Sequence, residues 1–498
     1  MSLPTLHRLV AALVREGLAT GLVADGRLQV QVPGGRFTVL CHAPAHRHPH
    51  PAELRGGARF EGRIIHNPLD LLERCALEVP ACGLADLALG LRSAAELHGL
   101  ALAYGWRGRL EGTAGRLLDW EQAVVDGSPT DPQHRAFPAL DMVHAHAWGG
   151  VAPIPIALAE VPAAGTEVFG DLPGAMAALG CTAPAGWLAL PVHPAVAVAL
   201  GRPAACCEHH AQEQQEHGLR GLAVALGLRW GAQVVLGHPL HPPERIALAS
   251  GQRVTVPVRV DGPSWSGRLA CNAGLASRVQ AVSPASLHLQ RALGSLWRSV
   301  GALGLGCALW EDPEAALPGE RLLPVATLFE PDAQGRPRVQ AEADALAPGD
   351  RAGFFRAWAA HLLEALLPAA RAGILLDPRP EHLLLRVRSG SIRGFVLRDV
   401  GAAEELDGGL GDRARWERLH ARLVHEHLAE LLRQLELDEP PLWAEVARQA
   451  RAALPGDAWS IWVAPRVPGP GHLRTVLGMA PAPEPNPLAL QGAGQAGV

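Results

Sequence analysis

The chain has 498 residues, of which 48% are hydrophobic and 19% are charged, and it carries a formal net charge of -5. This composition excludes an intrinsically disordered chain, and the length favours two or three domains over one. A sequence pI near 6.5 gives no reason to expect binding to nucleic acid or to a membrane surface.

Lysine does not occur in the chain, so all 44 basic residues counted as Lys or Arg are arginines. No Schiff base and no lysine electrostatic catalyst can therefore operate. Arginine, histidine or backbone N–H groups must bind any phosphate or carboxylate. Arginine suits both anions because its planar fork donates two hydrogen bonds at once.

The first residues predict an amphipathic helix over 4–18 that is interrupted by Arg8 and Arg15, without a cleavable apolar region. No apolar run reaches the length of a transmembrane helix. The eight cysteines do not form the framework of a small disulfide-rich protein. We therefore expect a cytoplasmic protein with reduced thiols.

The N-terminal 150 residues are predicted to form a mainly helical domain. Short strands are expected over 20–41, around the Asp25-Gly26 turn, and apolar residues at three- and four-residue steps predict helices over 69–121. A Pro- and Gly-rich stretch over 149–173 marks the boundary.

The rest of the chain is predicted to comprise a middle α/β domain over 151–325, a C-terminal domain over 326–480 and a disordered tail over 481–498. The middle domain includes a β-like run over 254–260. Long helices are predicted in the C-terminal domain over 352–372, 413–437 and 441–453. The fold class is α+β.

The richest segment for chemistry is GILLDPRPEHLLLRVRSGSIRGFVLRDVG, over 373–401. Two apolar runs, 383–387 and 395–397, flank a Ser-Gly-Ser turn and predict a β-hairpin. Because residues equidistant from the turn lie side by side, charged residues gather at one end of this hairpin. They are Asp377, Arg379, Glu381, His382, Arg398 and Asp399.

At one strand end, the like charges among three carboxylates and two guanidinium groups repel one another, and all five groups are costly to desolvate. A divalent cation together with a polyphosphate would neutralise both signs, so the segment is a candidate nucleotide and metal site. A hairpin end with simply hydrated charges is the alternative interpretation.

This segment resembles the C-terminal signature of the NRPS-independent siderophore synthetases, the IucA/IucC family. In that signature a Gly-Ile-x-x-Glu-Ala-His-x-Gln-Asn loop precedes two strands, the second of which ends in Arg-Asp-Phe. Arg398-Asp399 match directly, and Val400 replaces Phe. The four loop positions of the signature (Glu, His, Gln and Asn) are occupied by Asp377, Arg379, Glu381 and His382.

Three further segments resemble family landmarks in the family's order. WEQAVVDGSPTDPQHR, over 120–135, resembles the segment with a Gly-His-Pro-x-His-Pro string and ends in the basic Arg135. LALPVHP, over 188–194, resembles the Pro-Val-His-Pro-Trp-Gln motif and contains His193. LLPVATLFE, over 322–330, resembles an apolar segment that leads into Arg-Glu.

The string GHPLHPPER, over 237–245, copies a family string but stands later in the chain than the family order. His238 and Arg245 are still candidates for contacts with phosphate or carboxylate, and a proline-stiffened surface loop is the alternative. Arg278 resembles a carboxylate-binding arginine of the family.

The resemblance implies a cupped, three-part α+β synthetase that uses ATP and Mg²⁺. Such an enzyme activates a citrate-like acid as an acyl-adenylate and joins it to an amine or hydroxylamine. Implied roles are Asp399 and Asp377 for the metal, with Glu381 as a possible third ligand, and Arg379, Arg398 and His193 for catalysis. The implied cofactor-binding residues are Arg278, Arg245, His238, Glu381, His382 and Arg135.

Because several motif residues are substituted, a catalytically impaired relative that binds a partner siderophore synthetase is the alternative. A kinase-like phosphotransferase is disfavoured because its Asp-Asn catalytic loop is missing. Partners implied by the resemblance are small carboxylate and amine substrates, a second synthetase and a second copy of the chain.

A zinc pattern is not expected at His420 and His425. They are five residues apart on a predicted helix and should diverge around it.

Overall fold

The computed structural model describes the following residues: 3–42, 49–103, 120, 123–127, 129, 131–133, 157–162, 184–192, 253–260, 265–272, 303–304, 319–371, 374–397, 404–405, 412–437, 439–454, 456–469, 472–480 and 483–488. All structural statements below concern these residues.

The N-terminal part is built on a five-stranded antiparallel sheet of order β1-β2-β3-β4-β5. Its strands are β1 Thr20–Ala24, β2 Arg27–Val32, β3 Gly35–Cys41, β4 Leu54–Phe60 and β5 Arg63–Ile65. The strands β1 and β2 are joined at the predicted turn by Asp25 and Gly26, both with positive φ (52° and 69°), as is typical of Asp-Gly in a two-residue hairpin.

Three helices accompany this sheet: α1 Leu3–Arg15, α2 Pro68–Cys75 and α3 Ala81–Ala103. The inward positions of β2 and β3 alternate with exposed ones and pack against Leu6, Leu9 and Leu13 of α1. The N-terminal part is therefore mixed α/β, and its prediction as mainly helical was wrong. The error arose because short strands with polar outer faces contribute fewer apolar residues than the long helices around them.

Four described strands between 157 and 272 lie in two antiparallel pairs. They are β6 Ala157–Pro162 with β7 Trp187–Val192, and β8 Arg253–Val260 with β9 Trp265–Asn272. The strand predicted over 254–260 is thus confirmed as β8.

A four-stranded sheet of order β10-β14-β13-β11 supports the C-terminal part. Its members are β10 Leu303–Gly304, β11 Arg321–Pro324, β13 Leu383–Arg388 and β14 Ser391–Leu397. The predicted hairpin is confirmed: Leu383 lies opposite Leu397, and Ser389 and Gly390 form the turn with φ of 51° and 71°. A short antiparallel pair is formed by β12 Ile374–Leu375, which precedes the hairpin in the chain, and β15 Glu404–Glu405, which follows it.

Helices cover this sheet and form the largest core. Trp358, Phe355 and Leu362 of the helix Arg351–Arg371 are fully buried and belong to the same core cluster as the hairpin residue Phe395. The helices are α4 Val325–Leu328, α5 Arg338–Leu346, α6 Arg351–Arg371, α7 Asp412–His420, α8 Ala429–Leu435, α9 Glu439–Ala453, α10 Gly456–Trp462 and α11 His472–Val476, with a π-helix Ala421–Leu428 between α7 and α8.

The prediction of a disordered tail over 481–498 was wrong for the described residues 483–488. Strand β17 Pro483–Pro485 pairs with β16 Arg466–Pro468. Just beyond it, Asn486 is 2% exposed and donates hydrogen bonds to the carbonyls of Trp462 and Ala464. Composition alone could not reveal that this one asparagine satisfies the end of α10.

Among the helices that the structure describes, none combines the length and the hydrophobicity of a membrane-spanning segment.

Candidate functional site

The loop over 376–379 leads from β12 into the 3₁₀ helix Pro380–His382 and then into β13. Pro378 and Pro380 restrict its backbone, since each proline fixes its own φ and limits the residue before it. The loop therefore presents Asp377, Arg379 and His382 at the end of the hairpin, where the sequence predicted a charged cluster.

Asp377 is at the centre of this cluster, and its side chain is only 2% exposed. Its Oδ2 accepts a hydrogen bond from Nε of Arg379 at 2.8 Å, and its Oδ1 accepts one from the backbone N–H of Arg379 at 3.2 Å. Nδ1 of His382 lies 3.4 Å from the same Oδ2, and a terminal guanidinium nitrogen of Arg422 lies 3.6 Å from it. One carboxylate thus faces three cationic or ionisable side chains.

These contacts determine the charge of Asp377. Burial alone would raise its pKa, but the neighbouring Arg379, Arg422 and His382 side chains outweigh burial and lower the pKa well below the usual range. Asp377 is therefore ionised at neutral pH.

Sequence reasoning missed Arg422, because it lies some forty residues beyond the loop in what reads as an ordinary helix. The segment that carries it is a π-helix, Ala421–Leu428. Its i→i+5 pattern places residues five apart on one face, whereas in an α-helix they would lie about 140° apart. Arg422 and His427, five apart, both contact the loop: Arg422 at Asp377 and His427 at Pro378.

His427 connects the loop to the core through two hydrogen bonds. Its Nδ1 donates to the carbonyl of Pro378 at 2.7 Å, and its Nε2 accepts from the indole N–H of Trp358 at 2.9 Å. Because an indole N–H can only donate, His427 is the neutral Nδ1–H tautomer. Burial lowers its pKa to about 4, against a smaller opposite effect of the bond to Pro378.

Aromatic rings surround this histidine. The Phe329 ring lies edge-on to His427 at 5.5 Å between centroids and stacks on Trp358 at 6.2 Å, while Phe395 meets Trp358 edge-on at 5.2 Å. The apolar surroundings keep His427 uncharged and hold the loop rigidly on the core.

A second cluster joins two of the segments that the sequence analysis selected. Glu330, the last residue of 322–330, accepts hydrogen bonds from the backbone N–H groups of Asp126 and Gly127, in the segment 120–135, at 2.8 and 2.5 Å. Thr327 donates its hydroxyl to the carbonyl of Trp120 at 2.6 Å. The two segments are thus adjacent in the fold although some two hundred residues separate them.

Charged groups accumulate where these segments meet. Asp126 lies 2.6 Å from Nε2 of His98 and 3.8 Å from the guanidinium of Arg8. Burial and the neighbouring Asp126 charge raise the pKa of Glu330, while the backbone N–H groups that it accepts from oppose this. These contacts attach helices α1 and α3 to the loop after α4.

The structure brings together three of the sequence-predicted site residues: Asp377, Arg379 and His382. Glu381 lies in the adjoining 3₁₀ helix, and its side chain is outside the description. The other predicted residues lie outside the described residues: Arg135, His193, His238, Arg245, Arg278, Arg398 and Asp399.

Magnesium prefers several oxygen ligands in a nearly octahedral arrangement. Among the described residues, no group of three or more His, Cys, Asp or Glu side chains could hold a metal ion. The surroundings of Asp377 do not fit such an ion, because a divalent cation there would lie within a few ångströms of two guanidinium groups.

The expected divergence of His420 and His425 was wrong. Their ring centroids are 5.3 Å apart, again because residues five apart converge in the π-helix. Nε2 of His420 lies 3.0 Å from Oδ1 of Asn486, and burial lowers the pKa of His420 well below its usual range. The pair is part of the packing between the π-helix and the segment after β17.

Several solved structures resemble this chain over nearly its whole length. ATP-bound aerobactin synthetase IucA from Klebsiella pneumoniae has a TM-score of 0.67 at 15% identity, covering 98% of this chain and 100% of that one. Petrobactin biosynthesis protein AsbB from Bacillus anthracis str. Sterne has a TM-score of 0.65 at 14% identity, covering 99% and 95%. Aerobactin synthetase IucC from Klebsiella pneumoniae has a TM-score of 0.62 at 16% identity, covering 98% and 97%.

Residues 353–457, from α6 to the beginning of α10, also match the family model described as "Ferric iron reductase FhuF-like transporter". A comparison of the sequence with curated proteins finds no match. These three structures, each under 25% identical to the chain, establish the fold. The α+β architecture implied by the sequence resemblance is thus confirmed: this chain has the fold of the aerobactin synthetases IucA and IucC and of the petrobactin biosynthesis protein AsbB.

Proposed function

We propose that this chain is an ATP-dependent, amide-forming ligase of siderophore biosynthesis. It would condense a citrate-like carboxylic acid with an amine or hydroxylamine through an acyl-adenylate. The observation that carries the proposal is the likeness to synthetase structures over 98% of the chain, one of them with ATP bound.

The proposed reaction has two steps. A carboxylate oxygen of the acid attacks the α-phosphorus of ATP, a P–O bond forms and pyrophosphate leaves. The amine nitrogen then attacks the acyl carbon, the bond to AMP breaks, and the nitrogen loses a proton to solvent or to a nearby base. Both steps gather negative charge, so the protein must supply cations.

In a chain without lysine, arginine is the permanently cationic side chain that can supply that charge. Arg379, together with Arg398, is proposed to bind the reacting anions, and Arg422 is added from the structure. His193 is proposed to contact the substrate. The proposed ATP-binding residues are Arg135, His238, Arg245, Arg278, Glu381 and His382.

Magnesium stays part of the proposal as the ion that accompanies ATP. Asp399 is its main candidate ligand, because the surroundings of Asp377 do not fit a divalent cation. We also propose a cytoplasmic location, and as partners the small acid and amine, a second synthetase and a second copy of this chain.

A catalytically impaired relative that binds a partner synthetase is the second candidate. One observation favours it: Arg379, which replaces a histidine of the resembled signature, directs Nε at the carboxylate of Asp377. If that pairing inactivates the site, the chain would retain the fold and lose the chemistry. Co-purification with a complete synthetase and no nucleotide binding would then be expected.

The discriminating experiment measures release of AMP and pyrophosphate by the purified chain with Mg-ATP, hydroxylamine and a panel of carboxylic acids led by citrate. Asp399→Asn is the test variant. Asp344→Asn makes the same chemical change at an exposed ion pair with Arg351 and is the matched control.

We expect acid-dependent AMP release by the wild type and by Asp344→Asn, and a reduction of at least about a hundredfold in Asp399→Asn. Full turnover by Asp399→Asn would contradict the role of that residue. No release with any acid of the panel would contradict the ligase and support the impaired relative.

A further inference from the structure

The contacts of Asp377 with two arginines do not suit the metal-ligand role that the sequence resemblance implies. We infer that Asp377 is a positioning residue that holds Arg379 and Arg422 as a pair of cations for an anionic group of a substrate, a phosphate or a carboxylate. This inference rests on the proposed function for the identity of the anions.

The first observation is the occupancy of the Asp377 carboxylate. Both of its oxygens accept hydrogen bonds from Arg379, and Oδ2 also lies 3.6 Å from Arg422 and 3.4 Å from His382. An Mg²⁺ ion at 2.0–2.1 Å from either oxygen, its usual distance, would be strongly repelled by these guanidinium groups.

The second observation is that the two arginine side chains are more exposed to solvent than the Asp377 side chain that they contact. The Asp377 side chain is 2% exposed, whereas that of Arg422 is 23% exposed and that of Arg379 is 33% exposed. The carboxylate is thus buried, whereas part of each arginine side chain is accessible to solvent, although the Arg422 nitrogen nearest Asp377 is itself buried. An incoming anion would meet the arginines and not the aspartate.

The third observation is that both arginines are held by rigid elements. Arg422 is on the π-helix, and the loop that carries Arg379 is bonded to that same helix through His427 and Pro378. A cation fixed before binding loses little conformational entropy when an anion arrives, which favours tight and oriented binding.

Arginine is the appropriate residue for this role. Its planar group can donate two parallel hydrogen bonds to a phosphate or to a carboxylate, which fixes the orientation of the anion. Two such groups around one buried carboxylate would bind either the polyphosphate of ATP or a carboxylate of the acid. The geometry leaves both sources open, and the experiment separates them.

The test is equilibrium binding by calorimetry, without turnover and without magnesium, with sodium tripolyphosphate and citrate as separate probes. The variants are Arg422→Gln, Arg422→Lys and Asp377→Asn. Arg413→Gln is the matched control, because Arg413 is 75% exposed and pairs with Glu417 on α7. Circular dichroism of each variant establishes that it is folded.

We expect Arg422→Gln to weaken one of the two probes by at least tenfold, Arg422→Lys to restore part of that affinity, and Arg413→Gln to bind as the wild type does. The probe that loses affinity identifies the anion. Wild-type affinity of Arg422→Gln for both probes, or no binding of either probe by the wild type, would overturn the inference.

A double-mutant cycle tests the positioning role itself. If Asp377 acts through Arg422, the variant Asp377→Asn/Arg422→Gln binds the affected probe no more weakly than Arg422→Gln alone. A metal-ligand role predicts instead that Asp377→Asn keeps its affinity for the probe without magnesium and loses it only with magnesium. That result would overturn the inference.

Failure of the proposed ligase function would give a different set of results from failure of this inference. Binding of a probe that depends on Arg422, together with absence of AMP release, would support the anion site and contradict the ligase. If Asp377→Asn does not fold, Arg422→Lys still tests the inference, because the lysine retains a positive charge next to an unchanged Asp377.

Discussion

Trp358 donates its indole N–H to Nε2 of His427, and Nδ1 of His427 donates in turn to the carbonyl of Pro378 in the loop of the candidate site. Three distant segments, namely α6, the π-helix and the loop after β12, are thereby joined by two buried hydrogen bonds. The arrangement requires a neutral histidine with a proton on Nδ1.

Replacement of His427 by alanine should destabilise the protein. It leaves a cavity and two buried polar groups, the indole N–H of Trp358 and the carbonyl of Pro378, without their present partner. We expect the free energy of unfolding to fall by about 2–4 kcal/mol. His427→Gln, which can both donate and accept, should cost clearly less. Urea unfolding followed by circular dichroism measures both, and equal losses would contradict the hydrogen-bonded role.

The same histidine predicts a pH dependence of stability. Burial lowers the pKa of His427 in the folded protein to about 4, below the value of about 6.5 in the unfolded chain. Between these values the unfolded chain binds a proton that the folded protein does not, so stability is lost as the pH falls from 6.5 toward 4.

Thermal unfolding between pH 7 and pH 5 tests this. The midpoint of the wild type should fall, and that of His427→Gln should fall less. Part of the decrease should persist in the variant, because burial and the charge of Arg433 also lower the pKa of His50 to about 4. A decrease of the same size in both proteins would contradict the assignment.

The hydrogen bonds of Glu330 predict that its substitution will change stability and hydrogen exchange locally. Its carboxylate accepts from the N–H groups of Asp126 and Gly127, and an amide at position 330 could direct a donor at one of them. We expect Glu330→Gln to cost about 1–3 kcal/mol and to accelerate hydrogen exchange at these two amides. Glu364→Gln, at a largely exposed position on α6, is the control and should change neither. Unchanged exchange at 126 and 127 would contradict the anchoring role.

Glu430 connects the N-terminal part to α8. Its carboxylate lies 3.1 Å from Nε2 of His50 and 2.5 Å from the guanidinium of Arg433. Burial alone would raise its pKa, but Arg433 and His50 outweigh burial and lower it. Glu430→Ala leaves Arg433 beside a cavity, and we expect a loss of about 3–5 kcal/mol and faster proteolysis near residues 49–53. Glu436→Ala on the exposed helix end is the control. Proteolysis at the wild-type rate in Glu430→Ala would contradict this connection.

Much of the C-terminal part could be predicted from the sequence. The helices near 352–372 and 441–453 and the hairpin around Ser389 and Gly390 follow from local periodicity and turn chemistry, which residues within one segment determine. The cluster of Asp377, Arg379 and His382 also followed, because these residues lie within six positions of one proline-restricted loop. The predicted proximity of this loop to Arg398 and Asp399 concerns residues outside the described ones and stays a prediction.

Other features could not be predicted because distant segments determine them. Arg422 reaches Asp377 only because residues 421–428 form a π-helix, and no propensity distinguishes this segment from the α-helices on either side of it. The ordering of Asn486 depends on α10, and the contact of Glu330 with Asp126 joins segments some two hundred residues apart. In each case one side chain satisfies backbone or charged groups of another segment, and a local pattern does not encode this.

The most direct test of the proposed function is ATP–pyrophosphate exchange with the purified chain, in which labelled pyrophosphate enters ATP only if an acyl-adenylate forms reversibly. The account predicts exchange that requires a carboxylic acid, citrate first among those tested, and that needs no amine. A folded protein that shows no exchange with any acid of the panel would contradict acyl-adenylate formation.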